Sequence, residues 1–150
     1  FSEWADKAKG VQEKLLRLVD EDTRAFNSIM EAFGLPKNSD EEREIRRLAI
    51  EKATLYAIEV PFDVMNTAFA GFEIAEAMVI NGNPNSVTDA GVGALAMLAC
   101  VEGAWLNVKI NSADLKDHPR VQRIAEEGKE LLKESTKMRN RILQGVDDRI

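Results

Sequence analysis

Cysteine and histidine each occur only once in this sequence of 150 residues. The single cysteine, Cys100, excludes a disulfide within the chain and fits a reducing compartment. The single histidine, His118, excludes a zinc site built from several histidines. The sequence also contains no Walker loop, no dinucleotide-binding glycine fingerprint and no Gly-x-Ser-x-Gly motif. Phosphoryl transfer, zinc-dependent hydrolysis and serine hydrolysis are therefore poorly supported.

Positive charge is scarce and scattered along the chain. The 20 Lys and Arg are outnumbered by 26 Asp and Glu, so the formal net charge is −6 and the pI is near 4.9. Binding to a phosphate backbone requires clustered basic residues, so no nucleic-acid partner is expected. The longest charge-free apolar stretch, residues 90–101, is too short to span a bilayer. Without a signal peptide or a membrane span, a cytoplasmic protein is expected.

The sequence also lacks the alternation of apolar and polar residues that is typical of β-strands. Hydrophobic residues make up 45% of the chain, enough for one globular domain with a substantial core. The apolar residues recur at helical spacing, which predicts an all-α fold. We expect residues 1–150 to form one antiparallel bundle of about five helices joined by short loops.

Local signals predict where these helices begin and end. The first helix is expected over residues 2–33. Ser39, followed three residues later by Glu42, has the pattern of a capping box and predicts the start of the next helix. Pro61 lacks the backbone N–H that a helix interior requires, so it predicts a break or a new first turn. Residues 60–80 are apolar on most sides and should be central or lie at a subunit interface.

The most informative segment, residues 82–111, contains a helix of unusually small residues. Each glycine inside a helix costs about 1 kcal/mol relative to alanine, so another interaction must compensate. Small and polar residues recur on one face of this helix: Asp89, Gly93, Ala96, Cys100, Gly103, Asn107 and Asn111. Two interpretations remain open at this point. The face either packs tightly against another helix or forms the floor of a groove that binds a flat ligand.

The polar residues at the ends of this helix have two possible roles as well. Asp89 follows a helix start, where a carboxylate stabilises the free N–H groups, so a capping role is expected on physical grounds alone. Asn83 and Asn85 flank a proline in a turn, where asparagine is common for backbone reasons. Together with Asn107 and Asn111 they bracket a single helix, which favours ligand binding.

Asp22 interrupts the apolar face of the first helix, four residues after Leu18 and four before Phe26. A carboxylate on a buried face is destabilising unless it is hydrogen-bonded or protonated. Burial would disfavour the charged form of Asp22 relative to its protonated form. A carboxyl group that acts as a general acid or base near neutral pH requires such an environment. The alternative is that Asp22 reaches the rim of the fold or pairs with a buried arginine such as Arg46.

Five segments of the chain carry a resemblance to known proteins. They are LVDEDTRAF at 18–26, GLPKN at 34–38, the helix at 46–61, GNPNSVTDAGVGA at 82–94 and GAWLNVKIN at 103–111. In this order they closely resemble one family, the formiminotetrahydrofolate cyclodeaminase domain, found alone or fused behind a glutamate formiminotransferase domain. Methenyltetrahydrofolate cyclohydrolases of the serine-cycle type share its fold.

One feature of the family is missing from this sequence. Members usually begin with a further pair of helices that opens in a turn like Pro-Ala-Pro-Gly-Gly-Gly. This chain is therefore expected to be the C-terminal three-quarters of the domain. The resemblance implies an all-α homodimer with a folate cleft near the subunit contact. It also implies a possible fused or associated formiminotransferase domain.

The resemblance further implies the chemistry and the residues that carry it. In the cyclodeaminase reaction, N10 of 5-formiminotetrahydrofolate attacks the formimino carbon and ammonia leaves, giving 5,10-methenyltetrahydrofolate. The substrate is a tetrahydrofolate derivative, and no metal or redox cofactor is expected. A cyclohydrolase and a non-catalytic oligomerisation module are the alternatives. The implied site has Asp22 as acid or base, Asp89 as a second catalytic carboxylate, and Asn83, Asn85, Asn107, Lys109 and Asn111 as substrate-binding residues.

Overall fold

The computed structural model describes residues 2–150, and four α-helices account for nearly all of them. They are α1 (Ser2–Gly34), α2 (Asp40–Asn81), α3 (Val87–Asn111) and α4 (Pro119–Asp147), and a 3₁₀ turn at Pro84–Ser86 leads into α3. No strand occurs within residues 2–150. The predicted all-α bundle is confirmed, with four α-helices instead of about five.

The predicted capping box at the start of α2 is present. The hydroxyl oxygen of Ser39 accepts a hydrogen bond from the backbone N–H of Glu42 at 3.1 Å. In return, the Glu42 carboxylate accepts the backbone N–H of Ser39 at 3.3 Å and that of Asn38 at 2.7 Å. These bonds pair N–H groups that the first turn of a helix otherwise leaves free.

Replacing Ser39 with alanine should destabilise the fold by about 1 kcal/mol, because the N–H of Glu42 loses its acceptor. Urea unfolding followed by circular dichroism would measure the loss. Ser86 provides a matched control, since it precedes α3 but its side chain makes no capping hydrogen bond. Ser86→Ala should change the free energy of unfolding by less than about 0.5 kcal/mol. Equal losses from the two substitutions would contradict the prediction.

The predicted break at Pro61 is wrong, because α2 continues through it. Proline has no N–H to donate, so the carbonyl of Ala57, one turn earlier, loses its partner within the helix. The side-chain amide nitrogen of Asn111 donates to that carbonyl at 2.8 Å. A side chain from α3 therefore replaces the missing bond, and α2 passes Pro61 without ending.

Helix α1 runs antiparallel to α2. Near the start of α1, the ammonium of Lys7 lies 3.9 Å from the carboxylate of Glu73 in the second half of α2. Near its end, the Phe33 carbonyl accepts a hydrogen bond from the Arg46 guanidinium at 3.3 Å. The Arg46 guanidinium also lies 5.5 Å from the centre of the Phe33 ring, a cation–π contact.

Helix α4 lies on another side of α2 and runs parallel to it. Arg120 pairs with Glu59 at 2.9 Å, and Arg141 donates to Glu76 at 2.9 Å, so residue numbers rise together along the two helices. Helix α2 is thus central, as its apolar composition predicts. The core between α2, α3 and α4 includes the fully buried side chains Ile58, Met65, Phe72, Val101, Ile124 and Ile142.

Close packing explains only some of the small residues in α3. A Cβ on Gly91 would lie 3.3 Å from Val146 and 3.4 Å from Leu143, so α4 approaches α3 closely there. A Cβ on Gly93 or Gly103 would meet no atom within 4 Å. Tight packing within the chain therefore explains Gly91, whereas Gly93 and Gly103 face open space.

The segment Pro84–Asn111 is apolar enough, and long enough, to cross a membrane on length and composition alone. Its most apolar 18-residue window has a mean hydropathy of 1.5, although only 33% of that window is buried in the fold. The expectation of a stretch too short to span a bilayer concerned residues 90–101 alone. The whole helical segment Pro84–Asn111 is long enough. Core helices can meet the same criterion, but α3 also leaves much apolar surface exposed.

Candidate functional site

A groove lies between α1 and α3, with α2 beneath it. It consists of two cavities of about 430 and about 200 Å³ that share Asp22 and Asn107 as lining residues. Helix α2 contributes Ala57, Pro61 and Val64. We call this the α1–α3 groove; its remaining lining residues are Leu15, Leu18, Val19, Thr23, Ala25, Phe26 and Ile29 from α1 and Cys100, Ala104 and Asn111 from α3.

The groove brings together three of the predicted site residues: Asp22, Asn107 and Asn111. Of the α3 face predicted as a groove floor, only Cys100, Asn107 and Asn111 line the groove, as part of one wall. Asn107 is exposed, and within residues 2–150 its side chain makes no hydrogen bond, so its amide is available to a ligand. The amide nitrogen of Asn111 is occupied by Ala57, so this residue has a structural role whatever else it binds.

Asp22 is exposed, so the prediction that it lies buried on the apolar face of α1 is wrong. The inward face passes from Leu18 through Glu21 to Ala25, and Asp22 lies one position farther round the helix. The predicted pairing with Arg46 is also wrong, because that guanidinium binds the carbonyl and ring of Phe33. The remaining alternative is confirmed: Asp22 lies on a rim, where it lines the α1–α3 groove.

The carboxylate that does face inward from α1 is Glu21, which sequence reasoning missed. The hydroxyl of Tyr56 on α2 donates a hydrogen bond to it, and Arg24 forms an ion pair with it. The bond from Tyr56, followed by the charge of Arg24, lowers the pKa of Glu21. The same bond raises the pKa of Tyr56. Two features of the sequence could have indicated this contact. Glu21 lies three residues after Leu18 on α1, and Tyr56 is the single tyrosine of the chain.

A separate cavity of about 390 Å³ lies beside this pair, between α1 and α2. None of the residues predicted to bind or transform a substrate lines it. Its polar members besides Tyr56 are Ser28, Glu31 and Lys52, and its other lining residues are alanines and Leu35. The Glu21–Tyr56 bond therefore fixes α1 against α2 and does not belong to the α1–α3 groove.

The predicted residues at the start of α3 lie away from the groove. Asp89 and Asn83 line another cavity, of about 420 Å³. The side-chain oxygen of Asn83 accepts the N–H of Asn85 at 3.1 Å, which gives both residues a role in shaping the turn. Asp89 and Asn107 are separated by about five helical turns, or about 27 Å, so one chain does not combine them in one site.

The structure also shows the surroundings of Lys109, Cys100 and His118. Lys109 is exposed and lines none of the cavities described above. Cys100 is half-buried in the groove wall, and burial raises the pKa of its thiol, which disfavours the reactive thiolate. His118 caps α4, because its Nδ1 accepts the N–H of Arg120 at 3.1 Å. Within residues 2–150, no three His, Cys, Asp or Glu side chains cluster as a metal site would require.

Comparison with known proteins gives a family and several relatives. The family model described as formiminotransferase-cyclodeaminase matches residues 1–130. The methenyltetrahydrofolate cyclohydrolase of Methylorubrum extorquens is 32% identical over 145 residues, which cover 97% of this chain and 70% of that protein. The formimidoyltransferase-cyclodeaminase of Gallus gallus is 36% identical over 125 residues, 79% of this chain and 23% of that protein. The Dictyostelium discoideum protein of the same name is 32% identical over 128 residues, with 85% and 23% covered.

Proposed function

Since the chain belongs to the formiminotransferase-cyclodeaminase family, we propose that it transforms the one-carbon unit held between N5 and N10 of tetrahydrofolate. The first candidate is cyclisation of 5-formiminotetrahydrofolate. N10 attacks the formimino carbon, the bond from that carbon to the terminal nitrogen breaks, and ammonia leaves. The products are 5,10-methenyltetrahydrofolate and ammonia.

The α1–α3 groove is the observation that supports this proposal. The two atoms that react already belong to one molecule, so the protein needs to fix their orientation and move protons. One proton must reach the departing nitrogen, and another must leave N10. The groove offers a carboxylate at Asp22 and an unoccupied amide at Asn107 beside an apolar wall. Its volume lies in the range of small-molecule sites.

We assign roles to the groove residues on this basis. Asp22 is the acid or base, because it is the carboxylate that lines both cavities. Asn107 orients the substrate by hydrogen bonding. Asn111 holds α3 against α2 through the Ala57 carbonyl and leaves its side-chain oxygen for the ligand. Lys109 is exposed near the same end of α3 but lines neither cavity of the groove, so we assign it no role there.

Hydrolysis of 5,10-methenyltetrahydrofolate is the second candidate. It is favoured by the length of the match, because the chain spans 70% of the cyclohydrolase and 23% of each cyclodeaminase named above. In that reaction water attacks the methenyl carbon, the bond to N5 breaks and 10-formyltetrahydrofolate forms. The same carboxylate would then take a proton from water.

A single spectrophotometric measurement separates the two candidates, because 5,10-methenyltetrahydrofolate is the coloured species in both reactions. With 5-formiminotetrahydrofolate as substrate, a cyclodeaminase should increase the absorbance and release one equivalent of ammonia. With 5,10-methenyltetrahydrofolate, a cyclohydrolase should speed the loss of absorbance above the rate without protein. If neither substrate is turned over while calorimetry shows no folate binding, the proposed function is wrong.

A further inference from the structure

Phe26 is an exposed aromatic residue that lines the α1–α3 groove. It lies four residues after Asp22 on α1, so the two side chains project from the same face of the helix, one turn apart. Phe26 is 62% exposed and belongs to neither cluster of the hydrophobic core. Within residues 2–150 its ring pairs with no other aromatic ring and with no cation. Packing inside the chain therefore does not account for a phenyl ring at this position.

The two cavities of the groove differ in the chemistry of their walls. The smaller cavity, of about 200 Å³, combines the ring of Phe26 with the polar side chains of Asp22, Asn107 and Asn111. Among the described residues that line the groove, Phe26 is the single aromatic. The larger cavity, of about 430 Å³, shares Asp22 and Asn107 but has an otherwise mainly apolar wall. The smaller cavity therefore suits a flat ring with hydrogen-bonding groups on its edge, and the larger cavity suits an apolar ring.

A tetrahydrofolate contains two rings that differ in the same way. The pyrimidine half of its pteridine is flat and carries an amino group, a carbonyl group and ring nitrogens, all of which form hydrogen bonds. The aminobenzoyl ring has no hydrogen-bonding atom within the ring. N5 belongs to the pteridine, and N10 is attached to the aminobenzoyl ring. The one-carbon unit therefore lies between the two rings.

The residues shared by the two cavities mark where the two rings of a bound folate join. Asp22 and Asn107 line both cavities. With one ring in each cavity, N5 and N10 lie at this junction, beside the carboxylate that proton transfer requires. The opposite orientation would put the hydrogen-bonding edge of the pteridine against apolar side chains such as Leu18 and Val64 and leave its polar groups without partners. The walls of the groove thus favour one orientation, with the pteridine in the smaller cavity.

We propose that the pteridine ring of the substrate stacks on Phe26 in the smaller cavity, with the aminobenzoyl ring in the larger one. This inference rests on the proposed function, since it orients the same substrate in the same groove. The amide of Asn107 and the side-chain oxygen of Asn111 meet the polar edge of the ring. Stacking of a flat heterocycle on an aromatic side chain typically increases affinity about tenfold or more. Phe26 is thus a substrate-positioning residue.

The orientation is tested by the binding of two fragments of the substrate to the full chain, measured by NMR titration. One fragment, 6-methyltetrahydropterin, contains the pteridine alone, and the other, p-aminobenzoylglutamate, contains the second ring. Phe26→Leu removes the phenyl ring and should weaken binding of the pterin about tenfold, with less than about a twofold effect on the other fragment. Val19 is exposed and lines only the larger cavity, so Val19→Ala should weaken p-aminobenzoylglutamate more than the pterin. The opposite selectivity of the two variants would overturn the orientation.

Turnover of the preferred folate tests the stacking on the whole substrate. Phe26→Leu should raise KM about tenfold and affect kcat less, because stacking stabilises the bound substrate and the transition state alike. Phe26→Tyr keeps an aromatic ring and should restore KM to within about threefold of the wild-type value. Phe33 is the matched control, since it is 53% exposed on the same helix but lines neither cavity of the groove. Phe33→Leu should leave KM unchanged.

The outcomes separate this orientation from the proposed function. A KM that Phe26→Leu does not change, or that Phe26→Tyr does not restore, would refute the stacking while the turnover itself upholds the proposed function. Equal effects of Phe26→Leu and Phe33→Leu would refute the stacking as well. A wild type that binds the pterin through Phe26 but turns over neither folate would instead refute the proposed function and leave the pteridine site standing.

Discussion

Replacing Asp22 with asparagine is expected to reduce kcat on the preferred folate about 100-fold or more, in line with the loss of a general acid or base. Asparagine keeps the size and the hydrogen-bonding capacity of the side chain but neither accepts nor delivers a proton. Asp22 lines both cavities of the α1–α3 groove, so no other carboxylate in that groove replaces it. Initial rates at saturating substrate would measure the effect.

The neighbouring carboxylate Asp20 is a stringent control for this prediction. It is exposed on the same helix but lines none of the cavities described above. Asp20→Asn changes the net charge by the same amount and should leave kcat unchanged within about twofold. Both variants should unfold at the wild-type temperature, because neither carboxylate forms an ion pair within residues 2–150. Wild-type turnover by Asp22→Asn would refute its assignment as the acid or base.

The ends of the helices were predictable because the signals that set them are local. The capping box at Ser39 and Glu42 involves residues three positions apart, and the structure forms it. The continuity of α2 was not predictable in the same way. Pro61 removes a hydrogen bond from Ala57, and the group that replaces it lies 54 residues later in the chain. A rule based on the residues next to Pro61 in the sequence does not take Asn111 into account.

The misplacement of Asp22 has a different cause. Helical contacts repeat after three or four residues, so either Glu21 or Asp22 continues the inward face from Leu18. The choice depends on how α1 is rotated against α2, and the hydrogen bond between Glu21 and Tyr56 marks the rotation that the fold adopts. The sequence therefore predicted a carboxylate at the correct turn of α1 but placed the wrong one inside.

The small residues of α3 were recognised from the sequence, but their division among faces was not. Gly91 packs against α4, Cys100 and Asn107 line the groove, and Gly103 faces outward. Composition alone does not distinguish the faces of α3, whereas in the folded chain each face has different surroundings. The face that points away from the chain carries the exposed apolar side chains Val92, Leu106 and Ile110.

Replacing Asn111 with alanine should lower the free energy of unfolding by about 1–3 kcal/mol, because the Ala57 carbonyl is left without a donor. The loss should be smaller in a Pro61→Ala background. There residue 61 regains an N–H, and the Ala57 carbonyl can form the ordinary bond within α2. Urea unfolding of the wild type, both single variants and the double variant would give the coupling between the two positions.

Asn107→Ala is the matched control for this cycle, since it removes the same side chain one turn earlier in α3 without breaking a hydrogen bond within residues 2–150. Its effect on stability should stay below about 0.5 kcal/mol. If Asn111→Ala costs the same with Pro61 present or replaced, the amide does not compensate for the proline. Pro61 and Asn111 both line the α1–α3 groove. A strong coupling between them would therefore mean that the hydrogen bond which keeps α2 continuous at Pro61 also sets the shape of the site.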